Sequence, residues 1–125
     1  VSATIGIEKS PTSVAINAVT NTLYVAGSGG QVTVINPSNG AVIARIPVQG
    51  AGAVAVNPTT NTIFATSVPY ASSGPGTASI LSGETNTVTE SVRVGLDPAG
   101  ITANPTTGQA YVANSGDGTV SVIGG

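Results

Sequence analysis

Few side chains in this sequence can do chemistry. There is no cysteine and no histidine, so no thiolate can act as nucleophile or ligand and no imidazole can act as base. Of the five acids and three bases, Glu8, Lys9, Arg45, Glu90 and Arg93 fall in or beside copies of one recurring segment. That leaves Glu84, Asp97 and Asp117. Asp97 sits in Gly95-Leu-Asp-Pro98 and Asp117 in Ser115-Gly-Asp-Gly118, and the long interruption 68–76 carries Tyr70. A tyrosine grouped with Asp97, Asn114 and Asp117 could grip a sugar or a peptide. The plainer reading is turn chemistry, because Gly-Asp-Gly and Asp-Pro are turn formers in their own right. Calcium takes six to eight oxygens and usually several carboxylates, which three scattered acids supply poorly, so no metal site is assigned. Neither an acid–base pair nor a nucleophile with its base is visible. The chain reads as non-enzymatic and free of cofactor.

The elements that must position these residues are repeats. Asn104-Pro-Thr-Thr-Gly-Gln-Ala-Tyr-Val-Ala-Asn-Ser115 has counterparts in Asn57-Pro-Thr-Thr-Asn-Thr-Ile-Phe-Ala-Thr-Ser67 and Asn17-Ala-Val-Thr-Asn-Thr-Leu-Tyr-Val-Ala-Gly-Ser28. β-Branched runs separated by Asn, Gly, Pro and Ser predict strands over 13–16, 22–26, 32–35 and 41–48. They recur over 53–56, 62–66, 78–81 and 87–94, and again over 100–103, 109–113 and 119–123. A further strand is expected over 1–7, because Ile7 precedes Glu-Lys-Ser-Pro11 much as Val94 precedes Gly-Leu-Asp-Pro98. No window shows helical periodicity. The spacing is 40 residues from Asn17 to Asn57 and 47 from Asn57 to Asn104, the difference coming from the 68–76 loop. Units of this length with four antiparallel strands are the signature of propeller blades. Blades stacked face to face bury both sides of a sheet, which explains apolar residues at consecutive positions.

Tyr24-Val-Ala, Tyr111-Val-Ala-Asn114, the Asn-Pro-Thr-Thr turns, Thr85-Asn-Thr-Val88 and Thr119-Val-Ser-Val-Ile123 resemble the YVTN-type β-propeller repeats of bacterial and archaeal surface proteins. The likeness runs along nearly the whole chain. It implies propeller blades, commonly seven in a ring, and an exported or surface-anchored protein. Unit two departs from the pattern, with Phe64 for tyrosine, Thr66-Ser67 for Asn-Ser, and no counterpart of Pro11 and Pro98.

The expected architecture is all-β, a single repeat domain over 1–125. It holds a clasp strand at 1–7, blade one at 11–48, blade two at 51–94, and blade three at 98–125 lacking its outer strand. Twelve strands make three blades, and rings need roughly four to eight, so three cannot close around a channel. The clasp is therefore expected to work between chains by strand addition, with Val1, Ala3, Ile5, Ile7, Val120 and Val122 at the contact. Two chains would close a six-bladed ring, and an open head-to-tail contact would propagate into a filament. A fragment of a larger ring is the remaining reading. The charges on the fourth strands would blunt exposed edges.

Charged residues make up 6% of the chain against roughly 25% in ordinary domains. A net charge of −2 is too small to draw nucleic acid or an anionic membrane. No apolar run reaches the ~20 residues that span a bilayer. An uncharged surface of Thr, Ser, Asn and Gly suits an extracellular or surface location, and the lack of methionine even at position 1 fits a removed export signal. No Asn-x-Ser/Thr sequon is free of proline, but Thr59, Thr60, Thr106 and Thr107 are candidates for O-linked sugar. The expected function is a structural protein that assembles with copies of itself. The alternative is a dimeric six-bladed module that binds carbohydrate or protein.

Overall fold

A computed structural model describes residues 4–7, 10–27, 29–68 and 74–124. The described residues form eleven strands and no helix. They are β1 (Pro11–Asn17), β2 (Thr22–Gly27), β3 (Gln31–Asn36), β4 (Ala41–Pro47), β5 (Ala51–Asn57), β6 (Thr62–Ser67), β7 (Pro75–Ser82), β8 (Thr87–Leu96), β9 (Pro98–Ala103), β10 (Gln109–Asn114) and β11 (Thr119–Gly124). They make three antiparallel meanders, β1-β2-β3-β4, β5-β6-β7-β8 and β9-β10-β11. This is a β-propeller-like stack of blades, and every strand expected from 13 to 123 is present, most of them longer by one to three residues.

The blades are copies down to their irregularities. Each first strand begins with a bulge, between Pro11 and Ser13, between Ala51 and Val54, and opposite Ala113/Asn114. The residue before each first strand has left-handed backbone: Ser10 (φ 55°), Gly50 (φ 66°) and Asp97 (φ 48°). The turn between first and second strands also holds one such residue, Asn21, Asn61 or Gly108, which asparagine and glycine tolerate best. The fourth strands bulge at matching places, between Val34/Ile35 and Ile80/Leu81 of the partner strand. A bulge bends the strand and increases twist, as blades that fan about an axis require.

Two apolar seams join the blades. Tyr24, Val32, Val34 and Ile46 of the first sheet meet Ala51, Val54, Ile63 and Leu81 of the second. Phe64, Ala78 and Val94 of the second meet Ala110, Val112 and Ile123 of the third. Polar ties cross the first seam as well. Thr12 donates its hydroxyl to the Gly52 carbonyl at 2.7 Å, and Ser13 Oγ accepts the Val54 N–H at 3.2 Å. Asn17 Nδ2 donates to Asn61 Oδ1 at 3.0 Å. The inner strands β5 and β6 of the middle sheet, covered on both sides, have the almost continuous burial expected of a sandwiched blade, while β1 and β11 are largely exposed.

The segment 1–7, expected as a clasp strand for a neighbouring chain, pairs with no strand of its own chain among the described residues. Its described part, 4–7, is not in a strand. Thr4, Ile5 and Gly6 line a hollow with Pro37, Ser38, Asn39 and Gly40 at the β3–β4 turn. The edge they were expected to fill, β11 of a neighbouring copy, belongs to the third sheet, which lies two blades away within one chain. Val1, Ala3, Glu8 and Lys9 lie outside the described residues.

Candidate functional site

Blade geometry brings the Gly95–Pro98 corner onto the Ser115–Gly118 turn. Ser115 donates its N–H to the Asp97 carbonyl at 3.0 Å, and Gly116 donates its N–H to the Leu96 carbonyl at 2.9 Å. The approach is close enough that only glycine fits at two places. A Cβ on Gly95 would lie 2.7 Å from Asn114 Cγ, and one on Gly116 would lie 2.8 Å from Asp97 Oδ2. Asp97, Asn114 and Asp117 are thereby grouped, as the sequence suggested. Tyr70 lies outside the described residues.

The side chains of Asn114 and Asp117 are engaged within the corner itself. Buried Asn114 accepts the Gly95 N–H at 3.1 Å on Oδ1, and its Nδ2 donates to Ser121 Oγ at 2.9 Å and Thr119 Oγ1 at 3.2 Å. Asp117 accepts the Thr119 hydroxyl at 2.6 Å on Oδ1 and the Leu96 N–H at 3.2 Å on Oδ2. These hydrogen bonds, the Thr119 hydroxyl first, hold the Asp117 carboxyl below the usual aspartate range although it is exposed. The chemistry available is that of a locked corner. Among the described residues no three of His, Cys, Asp and Glu stand close enough to hold a metal ion.

The second set of candidates is at the opposite ends of the strands. Thr59 and Thr60 of one turn and Thr106 and Thr107 of the next flank a groove of about 460 Å³ between blades two and three. Asn57 and Phe64 also line it. Sequence reasoning named these threonines separately, and stacking of the repeats makes them neighbours. The signal that could have foretold the groove is Gly108, the one of the three equivalent turn positions without an asparagine.

The third set concerns assembly. Val120 and Val122 on β11 are 63% and 58% exposed, whereas their repeat equivalents Val32 and Val34 on β3 are 0% and 1% exposed. At the other end of the stack Val14 is 65% exposed against 5% for its equivalent Val54. Ile5 and Ile7 are exposed and half-buried, apart from β11. Arg45, Glu90 and Arg93 stand exposed on the outer strands β4 and β8. Among the described residues no helix is long and apolar enough to cross a membrane.

No protein-family model matches the chain. A segment of 34 residues, 27% of the chain, is 62% identical to PE-PGRS family protein PE_PGRS18 of Mycobacterium tuberculosis, and covers 7% of that protein. The fold is similar to a chain of Kuenenia stuttgartiensis hydrazine synthase, with a TM-score of 0.78 and 22% identity over 98% of this chain and 35% of that one. At that identity the likeness is one of fold alone. The present chain thus spans a small part of the first protein and about a third of the second.

Proposed function

We propose that this chain is a non-enzymatic assembly module whose three blades join blades of another copy. The observation that supports it is the contrast between equivalent positions. Val54, Val32 and Val34 are buried where a neighbouring blade covers them, and Val14, Val120 and Val122 keep the same apolar chemistry with no blade over them. The face carrying Val120 and Val122 corresponds to the blade-one face that packs on blade two, and Val14 corresponds to the Val54 that receives it. Head-to-tail packing of one copy on the next would repeat a contact the chain already makes twice. The third sheet also has an open edge at β11, where the N-terminal residues of another copy could add as a strand. Two copies supply six blades, within the range that closes. An imperfect fit would continue as a filament at the cell surface or outside the cell, where an uncharged surface is at home.

Light scattering and negative-stain microscopy test this on the 125-residue chain. The expected result is a particle of two copies, or a fibre, that dissociates in the double variant V14D/V120D while its circular dichroism remains that of a β protein. A stable monomer at all concentrations would overturn the proposal.

A further inference from the structure

The groove between blades two and three lacks a side chain that its counterpart one blade earlier carries, Gly108 standing where the earlier seam has Asn61. At the first seam, Asn17 bends back on its own turn, its Oδ1 accepting the Val19 N–H at 3.0 Å, and sends its Nδ2 across to Asn61 Oδ1 at 3.0 Å. At the second seam, Asn57 makes the same turn, accepting the Thr59 N–H at 3.1 Å. The position across from it is Gly108, which has no side chain to accept. Asn57 is 1% exposed, and its Nδ2 has no partner among the described residues. A buried donor without an acceptor is left without the hydrogen bond that water would have given it. Here the donor belongs to a residue that lines an open groove of about 460 Å³, within the range of small-molecule sites.

The remaining lining defines the occupant. Phe64, Ile80 and Pro105 give it apolar surface, and Thr59, Thr60, Thr106 and Thr107 give it hydroxyls. None of the lining residues is charged, so nothing would compensate a charged ligand for lost water. A ring with one apolar face, several hydroxyls and an oxygen free to accept from Asn57 satisfies each of these demands. We infer that the groove between the Asn57–Thr62 and Asn104–Gly108 turns is a binding site for a neutral sugar, with Asn57 Nδ2 as its buried donor. The site lies at the seam of blades two and three and needs no second copy of the chain, so it stands apart from the assembly reading.

Amide and side-chain NH₂ resonances followed during titration with glucose, galactose, mannose and N-acetylglucosamine test the inference. At least one sugar is expected to shift the Asn57 side-chain resonances and the backbone amides of Thr59, Thr60, Thr106 and Thr107 along a saturable curve. Gly108→Asn would rebuild the amide pair of the first seam, since Asn61 already shows that asparagine accepts this left-handed backbone (φ 54°, against 78° at Gly108). That variant is expected to unfold at a higher temperature and to bind the sugar at least tenfold more weakly. Thr106→Arg, which fills the groove from an exposed rim position without touching the seam, is expected to weaken binding likewise. The inference is overturned if none of the four sugars moves these resonances up to about 50 mM, well above millimolar dissociation constants. It is overturned equally if G108N and T106R bind as the parent does.

Discussion

Asn114 and Asp117 are both tied by hydrogen bonds to the corner that carries them. Asn114 closes a buried triangle of Gly95, Thr119 and Ser121. Asn114→Ala leaves the Gly95 N–H without its acceptor, and a loss of about 1–3 kcal/mol is expected, read from the urea midpoint. Asp117 makes a pH-dependent contribution because its carboxylate is stabilised in the folded chain by Thr119 and Leu96. Its folded pKa lies below the unfolded value, so the stabilisation is fully present above the ordinary aspartate pKa and is lost as pH falls through the lower folded value. Asp117→Asn is therefore expected to flatten the acid limb of a stability–pH profile while leaving the neutral limb's slope unchanged. Gly50 shows a different constraint. Its φ is +66°, and a Cβ there would lie 2.2 Å from the Val68 carbonyl oxygen. Left-handed backbone alone costs a non-glycine residue about 1–2 kcal/mol, so Gly50→Ala is expected to lower stability by more than about 2 kcal/mol in the same assay.

At the scale of strands and seams, the elements were legible and their contacts were not. Runs such as Val32-Thr-Val-Ile35 and Thr119-Val-Ser-Val-Ile123 declare themselves as strands because β-branched residues fill them and turn residues bound them. Sheet order followed, since short turns leave meanders as the simplest pairing. The ties across seams stayed hidden. Ser13 to Val54 and Asn17 to Asn61 are separated by more than forty residues, and no local propensity announces such a partner. Residues 4–7 have strand composition but are not in a strand within the single chain, because composition does not say which edge a segment joins. The grouping of Asp97 with Asp117 was legible from which loops share a face, whereas the bonds of Asn114 and Asp117 to Gly95 and Leu96 were not. The seam itself has a sensitive point at Gly76, where a Cβ would come within 2.4 Å of Pro98 Cγ and 2.8 Å of the Ser67 carbonyl oxygen. In a stack whose units meet only their neighbours, stability is a sum of units and interfaces. Gly76→Ala is thus expected to open the second seam selectively. Hydrogen exchange should show β9–β11 amides losing protection while β1–β4 keep theirs, and uniform loss along the chain would refute the selective effect.

The whole molecule is a short stack with two unlike ends, and the unlikeness is what gives it a direction. Blade one ends in Val14 and Ile16, the positions that Val54 and Val56 occupy in the sandwiched blade, and blade three ends in Val120 and Val122. An isologous dimer would set one end against its own copy, whereas head-to-tail contact sets each end against the other kind, as inside the chain. The consequence can be measured with two substitutions of identical chemistry. Val54→Ala removes methyl groups from a seam that exists in every chain, and a valine fully buried is worth about 1.5–3 kcal/mol, so its thermal midpoint should fall at any protein concentration. Val14→Ala removes the same groups from an exposed face that the proposed assembly has a second copy cover. At dilutions where the chain is alone its midpoint should match that of the parent, because an exposed valine contributes little. At high concentration the parent's midpoint should rise by mass action while that of Val14→Ala lags behind, and the gap should approach the Val54→Ala deficit as the second copy saturates. Equal midpoints for Val14→Ala and parent across the whole range would mean that no second copy covers this face, and the head-to-tail contact would be refuted.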